Sequence, residues 1–264
     1  MKSTRIVMFG AGNVAIHLTL ALWKAGYQII QVYSRSEESA KFLADQVKAI
    51  PITNPSDFDN SSDAIIFSLN DNALCDIIEQ VDISGQLALH TSGAIPMEVF
   101  KGKADHYGVL YPLQTFSKFR EIKFLDVPLF IEANSPTELA NLKMLASSIA
   151  AKVILADSLQ RRQLHLSAVF ASNFVNHLYA LTLELGKKFG FTFDVFEPII
   201  LETTLKAIES GNPMDAQTGP AVRKNREIVL KHIEMLSSDP DLQKLYTSLT
   251  NSILKLHFKD TFIL

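Results

Sequence analysis

The chain has 264 residues, of which 47% are hydrophobic and 20% charged, so a disordered or low-complexity protein is excluded and one large domain or two ordinary ones are expected. The net charge of −3 provides no basic excess for binding a phosphate backbone, which argues against nucleic acid as the main partner. Cys75 is the single cysteine, so an intramolecular disulfide and a cysteine-rich metal site are excluded, and we predict no metal.

Residues 6–23 lack charged side chains and follow Lys2 and Arg5, which superficially resembles a signal peptide. The run contains two glycines, an asparagine and a histidine, and no small-residue cleavage site follows it. These polar residues would be costly inside a bilayer. We therefore expect a cytoplasmic protein without a membrane partner.

The first part of the chain alternates short β-branched runs with helical patterns. The runs predict strands at 5–9, 29–33, 49–52, 63–69, 86–90, 107–111, 127–132 and 152–155. The helical patterns predict helices at 13–25, 37–47, 71–80 and 135–149. Strands that alternate with helices need crossover connections, so we predict an α/β, Rossmann-like doubly wound sheet that is mostly parallel.

After residue 157 only helical periodicity is visible, and glycines, prolines and asparagine interrupt it. Helices are predicted at 158–189, 194–210, 220–237 and 240–257. We therefore predict a nucleotide-binding domain at residues 1–156 and an all-helical domain for substrate binding and dimerisation at residues 157–264.

The segment Gly10–Ala15 fits the pattern G-x-G-x-x-G/A, and it directly follows the first predicted strand and opens the first predicted helix. In that context Gly10 permits a tight turn and Gly12 lets backbone N–H groups approach a pyrophosphate. Asn13 and Val14 begin the helix, whose N-terminus attracts phosphate. A flavin or S-adenosylmethionine site shares parts of this pattern, and a glycine turn without a ligand remains the alternative.

The end of the second strand favours NADP as the cofactor. An NAD site would have a carboxylate there, whereas this chain has Ser34, Arg35 and Ser36. A guanidinium between two hydroxyls suits a ribose 2′-phosphate. The alternative is an ordinary surface arginine. We interpret Glu37 and Glu38 as first-turn residues of the next helix.

Two further loops follow the fourth and fifth strands, at the edge where doubly wound sheets bind ligands. The residues assigned to the cofactor there are Ser68, Leu69, Asn70, His90 and Thr91. Asn70 also suits a helix cap, and the hydroxyls after His90 also suit a simple turn.

The helix predicted from residue 158 is apolar almost all round, which predicts burial in a bundle or in a homodimer interface. On an ideal helix His165, Ser172 and Asn176 fall within roughly 20° of one another, and Asn173 lies about 80° from His165. This polar stripe would bind either substrate or neighbouring backbone. His165 is its one group that exchanges a proton near neutral pH, so it is the candidate general acid.

The order of parts resembles the NADP-dependent oxidoreductases with a Rossmann domain followed by a helical domain, such as pyrroline-5-carboxylate reductase and the 3-hydroxyacid dehydrogenases. Four motifs more closely resemble an uncharacterised family, provisionally described as NADP oxidoreductases, that joins a Rossmann-like domain to a helical domain of unknown function. The motifs are His90-Thr91-Ser92-Gly93, Tyr111-Pro112-Leu113-Gln114-Thr115-Phe116, Phe170-Ala171-Ser172-Asn173-Phe174 and Thr218-Gly219-Pro220. This likeness covers essentially the whole chain.

The dehydrogenase resemblance implies a lysine one turn before an asparagine in the second domain. If Asn173 is that asparagine, Val169 occupies the lysine position, so the usual proton donor is missing and His165 is the hypothetical substitute.

The expected function is hydride transfer between NADPH and a small carbonyl or imine compound in the cleft between the two domains. His165, or else His90, would supply the proton, while Asn173, Ser92 and Ser172 orient the substrate. The alternatives are a non-catalytic NADPH-binding regulatory or assembly protein and a methyltransferase.

Overall fold

The computed structural model describes residues 4–258. The chain forms two compact units that divide between His177 and Leu178. The boundary predicted from the sequence, at residue 156, lies directly after the last strand. The first compact unit extends beyond that strand and includes the helix that follows it. No helix among residues 4–258 is long and apolar enough to cross a membrane.

The first unit contains an eight-stranded sheet. Its strands are β1 (Arg5–Phe9), β2 (Gln28–Tyr33), β3 (Ile50–Ile52), β4 (Ala64–Phe67), β5 (Leu87–His90), β6 (His106–Pro112), β7 (Leu129–Ala133) and β8 (Val153–Leu155). Their order is β3-β2-β1-β4-β5-β6-β7-β8, and only the β6–β7 pair is antiparallel. The mostly parallel, doubly wound sheet that the sequence predicted is therefore confirmed. Its order reverses between β1 and β4, and such a reversal opens a ligand crevice.

Four helices connect these strands and cover both faces of the sheet. They are α1 (Asn13–Lys24), α2 (Glu37–Val47), α3 (Asp71–Ile78) and α4 (Pro136–Ile149). Ser36, Asn70 and Ser135 cap the last three of these helices by accepting backbone N–H bonds. These caps place each helix start directly after a strand end or turn.

The strands are buried on both faces, which explains their continuous apolar runs. Ile6 and Met8 of β1 pack on one side with α1, α2 and α4. Val7 and Phe9 pack on the other side with α3. Neighbouring residues of one strand thus support two separate cores, and the sheet holds the loops at its carboxyl edge in fixed positions.

The single helix predicted at 158–189 is wrong in one respect, because a π-helical segment interrupts it. The chain forms α5 (Ser158–Ala168), the π segment (Val169–Phe174) and α6 (Val175–Lys188). A π turn takes one residue more than an α turn, so it rotates the following positions by about 100°. The predicted alignment of His165 with Asn176 on one helix face therefore does not hold.

The second unit, from Leu178, contains helices joined by turns and no strand among its described residues. Beyond α6 it contains α7 (Glu197–Glu209), α8 (Arg226–Met235) and α9 (Pro240–Phe258). The predicted helix start at residue 220 is wrong. Lys224 has a left-handed backbone with φ of 53°, which an α-helix does not accommodate, and the Asn225 side chain caps α8 one residue later.

Candidate active site

A cavity of about 630 Å³ opens at the carboxyl ends of β1, β2 and β4. It brings together seven of the residues predicted to bind the cofactor, namely Gly10, Gly12, Ser34, Arg35, Ser68, Leu69 and Asn70. Sequence reasoning missed further lining residues, among them Ser39 from α2 and Ile77 from α3. No local motif marks these two positions, because only the packing of the helices brings them to the cavity.

The two glycines of the loop after β1 play different parts. Gly10 has φ of 125°, and a Cβ atom there would collide with the carbonyl oxygen of Ser68. A Cβ atom on Gly12 would meet no atom within 4 Å. Gly10 thus lets β1 and the loop after β4 approach closely, while Gly12 leaves open space in front of the α1 N-terminus, where a phosphate is favoured.

Arg35 is exposed at the cavity, and its guanidinium has no hydrogen bond or ion pair among residues 4–258. The flanking hydroxyls bind backbone instead. Ser34 Oγ accepts the N–H of Ser36 at 3.3 Å, and Ser36 Oγ accepts the N–H of Ser39 at 3.3 Å. The serines shape the turn and leave the guanidinium free. These residues fit a dinucleotide that carries a 2′-phosphate.

Glu37 and Glu38 occupy the first turn of α2, as predicted. The remaining residues that were predicted to bind the cofactor lie near this cavity or behind it. Asn13 and Val14 begin α1. Thr91 is buried, and its hydroxyl donates to Ser68 Oγ at 3.2 Å, so it supports the loop after β4.

His90 lies inside the protein rather than at its surface. Its exposed area is 0%, so a bound cofactor would not reach its ring in this arrangement. Its Nδ1 accepts the backbone N–H of Ser92 at 3.2 Å. Burial, with a smaller contribution from the charge of Arg161, lowers the pKa of His90 from 6.5 to about 3. The ring is therefore neutral near pH 7, which argues against His90 as the proton donor.

The loop after β5 is held by its own polar groups. Ser92 Oγ donates to Asp71 Oδ1 at 2.7 Å and accepts the N–H groups of Ala94 and Ile95, both at 3.1 Å. These three bonds fix the turn beside the start of α3.

His165 projects from α5 onto this loop. Its Nδ1 lies 3.1 Å from the hydroxyl oxygen of Tyr111, near the end of β6, and the two rings meet edge to face. A Cβ atom on Gly93 would lie 2.8 Å from His165 Nδ1 and 2.9 Å from Tyr111 Cζ. Burial raises the pKa of the Tyr111 hydroxyl above its usual value, and the charge of Arg161 opposes part of that rise.

Arg161 connects α5 to the sheet, and sequence reasoning missed it. Its side chain is fully buried and binds Glu132 at 2.6 Å, while its other N–H groups donate to the carbonyl oxygens of Ser92 and Ile95. This attachment explains why α5 belongs to the first compact unit. The available signal was Glu132 itself, an acidic residue in an otherwise apolar strand, which needs a buried partner.

Ser172 and Asn173 lie in the π segment. No hydrogen bond joins either side chain to His165 or to any other residue among 4–258. The structure thus brings His165 and Ser92 together around Gly93 and leaves Ser172 and Asn173 with free polar groups. Within the described residues, no cluster of three or more His, Cys, Asp or Glu side chains could hold a metal ion.

Two family models match successive parts of the chain. Residues 2–114 match the Rossmann-like domain, and residues 127–253 match a domain of unknown function, DUF2520. A crystal structure of a Bacteroides fragilis protein that is provisionally named an NADP oxidoreductase is 47% identical, with a TM-score of 0.89, and the match covers 96% of this chain and 98% of that one. No curated protein sequence matches the chain.

More distant similarities concern the fold. Streptococcus pyogenes 1-pyrroline-5-carboxylate reductase is 14% identical with a TM-score of 0.64, and the match covers 97% of this chain and 100% of that one. The Myxococcus stipitatus imine reductase, solved in complex with NADP+, is 15% identical with a TM-score of 0.64, covering 98% and 97%. The 47% identity over nearly the whole length decides membership: this chain belongs to the family that joins a Rossmann-like domain to the DUF2520 domain, and its similarity is to NAD(P)-dependent oxidoreductases.

Proposed function

We propose that this protein is an NADP-dependent reductase of small carbonyl or imine compounds. The observation that carries the proposal is the cavity at the β1–β4 reversal, where the free guanidinium of Arg35 lies at the end of β2. When bound, NADPH supplies the hydride. The similarity to a protein provisionally named an NADP oxidoreductase supports the same cofactor.

The protein's own residues would supply binding and the proton. Arg35 would pair with the 2′-phosphate, and the open backbone at Gly12 would admit the pyrophosphate. His165 would supply the proton to the reduced substrate, because its ring is half-buried beside the loop after β5 and one nitrogen is bound by Tyr111. Ser92 would hold that loop, and the free groups of Ser172 and Asn173 would be available to orient the substrate.

The test of the cofactor is a parallel titration of the purified protein with NADPH, NADH and S-adenosylmethionine. We expect NADPH to bind roughly 10- to 100-fold more tightly than NADH, the worth of one charge-assisted contact. Arg35→Ala should abolish the preference. Lys41→Ala is the matched control, because it removes an exposed cation from the helix that follows Arg35, outside the cavity. Absence of NADPH binding would reject the reductase function, and S-adenosylmethionine binding would indicate a methyltransferase.

The test of catalysis is His165→Ala with the oxidation of NADPH as the readout, in a screen of small oxo acids and imines. We expect unchanged NADPH affinity and loss of turnover by a factor on the order of 100 to 10,000. Unchanged turnover would remove His165 from the mechanism. NADPH binding by the wild type without turnover of any compound would favour the regulatory or assembly role.

We also propose that the helical part forms a homodimer. None of the residues of α7 is buried, even though the helix carries large apolar side chains. Ile199, Leu201 and Ile208 are 65%, 61% and 71% exposed. A helix of this length is marginally stable alone in water, so it needs a permanent apolar partner. A second copy is the partner that is present wherever this chain is made.

The test of the dimer is sedimentation of Ile208→Glu against the wild type over a dilution series. We expect the wild type to sediment as a dimer and the variant as a monomer, with Lys101→Glu, an exposed substitution on the first unit, as control. A monomeric wild type would reject the dimer. The cytoplasmic location stays a prediction.

A further inference from the structure

We propose that Nε2 of His165 gives the proton to the reduced substrate and that Tyr111 is the positioning residue for that ring. The proposal rests on the proposed reductase function and assigns its donor atom and the residue that orients it. Two observations carry it, the Tyr111–His165 contact and the close fit of Gly93.

The first observation is which nitrogen is free. Nδ1 of His165 is bound by the Tyr111 hydroxyl at 3.1 Å, and Nε2 has no partner among residues 4–258. A histidine whose one nitrogen is held by the protein presents the other to the substrate. Because β5 and β6 are parallel, Tyr111 and the loop after β5 lie at the same edge of the sheet as the dinucleotide cavity.

The second observation is that packing fixes the orientation of the His165 and Tyr111 rings. The Cβ position of Gly93 falls 2.8 Å from Nδ1 and 2.9 Å from Tyr111 Cζ, so backbone is pressed against both rings. The Tyr111 ring is also packed against Phe130, with centroids 6.4 Å apart. The imidazole is therefore held in one orientation, as a proton donor needs to be.

A phenol suits this position because its oxygen can accept the Nδ1–H bond of both forms of the ring. It accepts from Nδ1–H while His165 is an imidazolium and still accepts from it after Nε2 has given up its proton. The contact thus survives the proton transfer. A carboxylate in its place would favour only the imidazolium and would hold the proton back.

The charged groups near the pair are bound by other residues. Arg161 from α5 forms an ion pair with Glu132 from β7, and Asp71 from α3 is bound by Ser92. His90 from β5 accepts the backbone N–H of Ser92. The Tyr111 hydroxyl is therefore the group that contacts Nδ1 of His165.

With a carbonyl substrate, the carbon would accept a hydride with its electron pair from a carbon–hydrogen bond of NADPH, and the carbon–oxygen π bond would break toward oxygen. The oxygen would take the proton from Nε2; with an imine, the nitrogen would take it. The products would be the alcohol or amine, NADP+ and a neutral His165, which is reprotonated from solvent.

The first experiment needs no cofactor. The ¹⁵N resonances of His165 are recorded for the apo protein and for Tyr111→Phe, with Tyr107→Phe, on the same strand, as matched control. We expect Tyr111→Phe alone to change the balance between the Nδ1–H and Nε2–H forms. Unchanged His165 resonances in Tyr111→Phe would overturn the positioning role.

The second experiment measures turnover over a pH range with a compound that the wild type reduces in the screen of small oxo acids and imines. We expect Tyr111→Phe to lower kcat about 10- to 100-fold. KM and NADPH affinity should stay unchanged, and the pH profile should shift. A Tyr111→Phe variant with the wild-type kcat and pH profile would overturn this inference and leave the reductase function standing. Failure of the wild type to bind NADPH, or to oxidise it with any compound of the screen, would overturn both.

Discussion

Arg161 of α5 and Glu132 of β7 form a buried ion pair with an Nη1–Oε2 distance of 2.6 Å, in which the arginine side chain is 1% exposed. The same guanidinium donates from Nε to the Ser92 carbonyl at 3.2 Å and from Nη2 to the Ile95 carbonyl at 2.6 Å. Because the guanidinium fork is rigid, these bonds fix α5 relative to the loop after β5. They thereby fix where His165, four residues further along, meets Tyr111.

Replacing Arg161 by Met should lower the free energy of unfolding by about 3–5 kcal/mol, because Glu132 would keep a buried charge without its partner. The measurement is urea denaturation. Arg162→Met, an exposed neighbour on the same helix, should change stability by less than about 0.5 kcal/mol. The double variant Arg161→Met with Glu132→Leu should recover most of the loss. A single variant as stable as the wild type would contradict the buried-pair account.

Alanine should lower the stability of the fold at Gly10 but weaken NADPH binding at Gly12. Gly10→Ala should destabilise the fold by at least about 1–3 kcal/mol, since Gly10 has positive φ and its Cβ would meet the Ser68 carbonyl. Gly12 has φ of −84° and open space, so Gly12→Ala should fold normally but bind NADPH more weakly. Thermal unfolding and an NADPH titration of both variants separate the effects. Tight NADPH binding by Gly12→Ala would place the pyrophosphate elsewhere.

Gly93→Ala should destabilise the protein by about 1–3 kcal/mol, the usual cost of overpacking, because its Cβ would be pressed against His165 and Tyr111. The cost should be smaller in a His165→Ala background, where one of the two rings is absent. A double-mutant cycle of thermal or urea unfolding measures this coupling. Additive effects of the two substitutions would show that the rings do not share this contact in solution.

His90 should make the protein sensitive to acid. Unfolded His90 binds a proton below its ordinary pKa of 6.5, whereas the folded residue does so only near pH 3. Between those values the unfolded state binds the extra proton, so the free energy of unfolding should fall by about 1.4 kcal/mol for each unit of decreasing pH.

The check is the pH dependence of urea unfolding for His90→Asn, which keeps an acceptor near the Nδ1 position. We expect a flatter dependence between pH 6 and pH 4 for this variant, while His177→Asn, an exposed control, keeps the wild-type slope. Equal slopes in His90→Asn and the wild type would show that another group controls the acid response.

Much of the proposed dinucleotide site was predictable because its residues follow strands directly. Gly10, Arg35 and Asn70 each lie within three residues of a strand end, and parallel strands place those ends at one edge. The helix cap Asn70 was equally predictable, since a capping side chain acts within its own turn. Local chemistry and strand order were enough for these positions.

The proposed proton-donating side was predicted only in part. His165 was identified as the titratable residue of its helix, but the stripe that joined it to Asn176 assumed an uninterrupted α-helix. The π segment at Val169–Phe174 changes that spacing, and no local residue preference marks it. The helix start predicted at residue 220 was also wrong. A left-handed backbone is usually marked by a glycine, and the lysine at position 224 gives no such signal.

The sequence by itself determined the doubly wound sheet and the edge at which we propose that the cofactor binds, because hydrophobic periodicity, glycine spacing and caps act over a few residues. Only the tertiary structure decided that Tyr111 meets His165 and that Arg161 meets Glu132, residues separated by 54 and 29 positions. It also decided that His90 is enclosed and neutral rather than open to a ligand. Contacts of this kind depend on how whole elements pack, and burial sets the charge state of the groups they enclose.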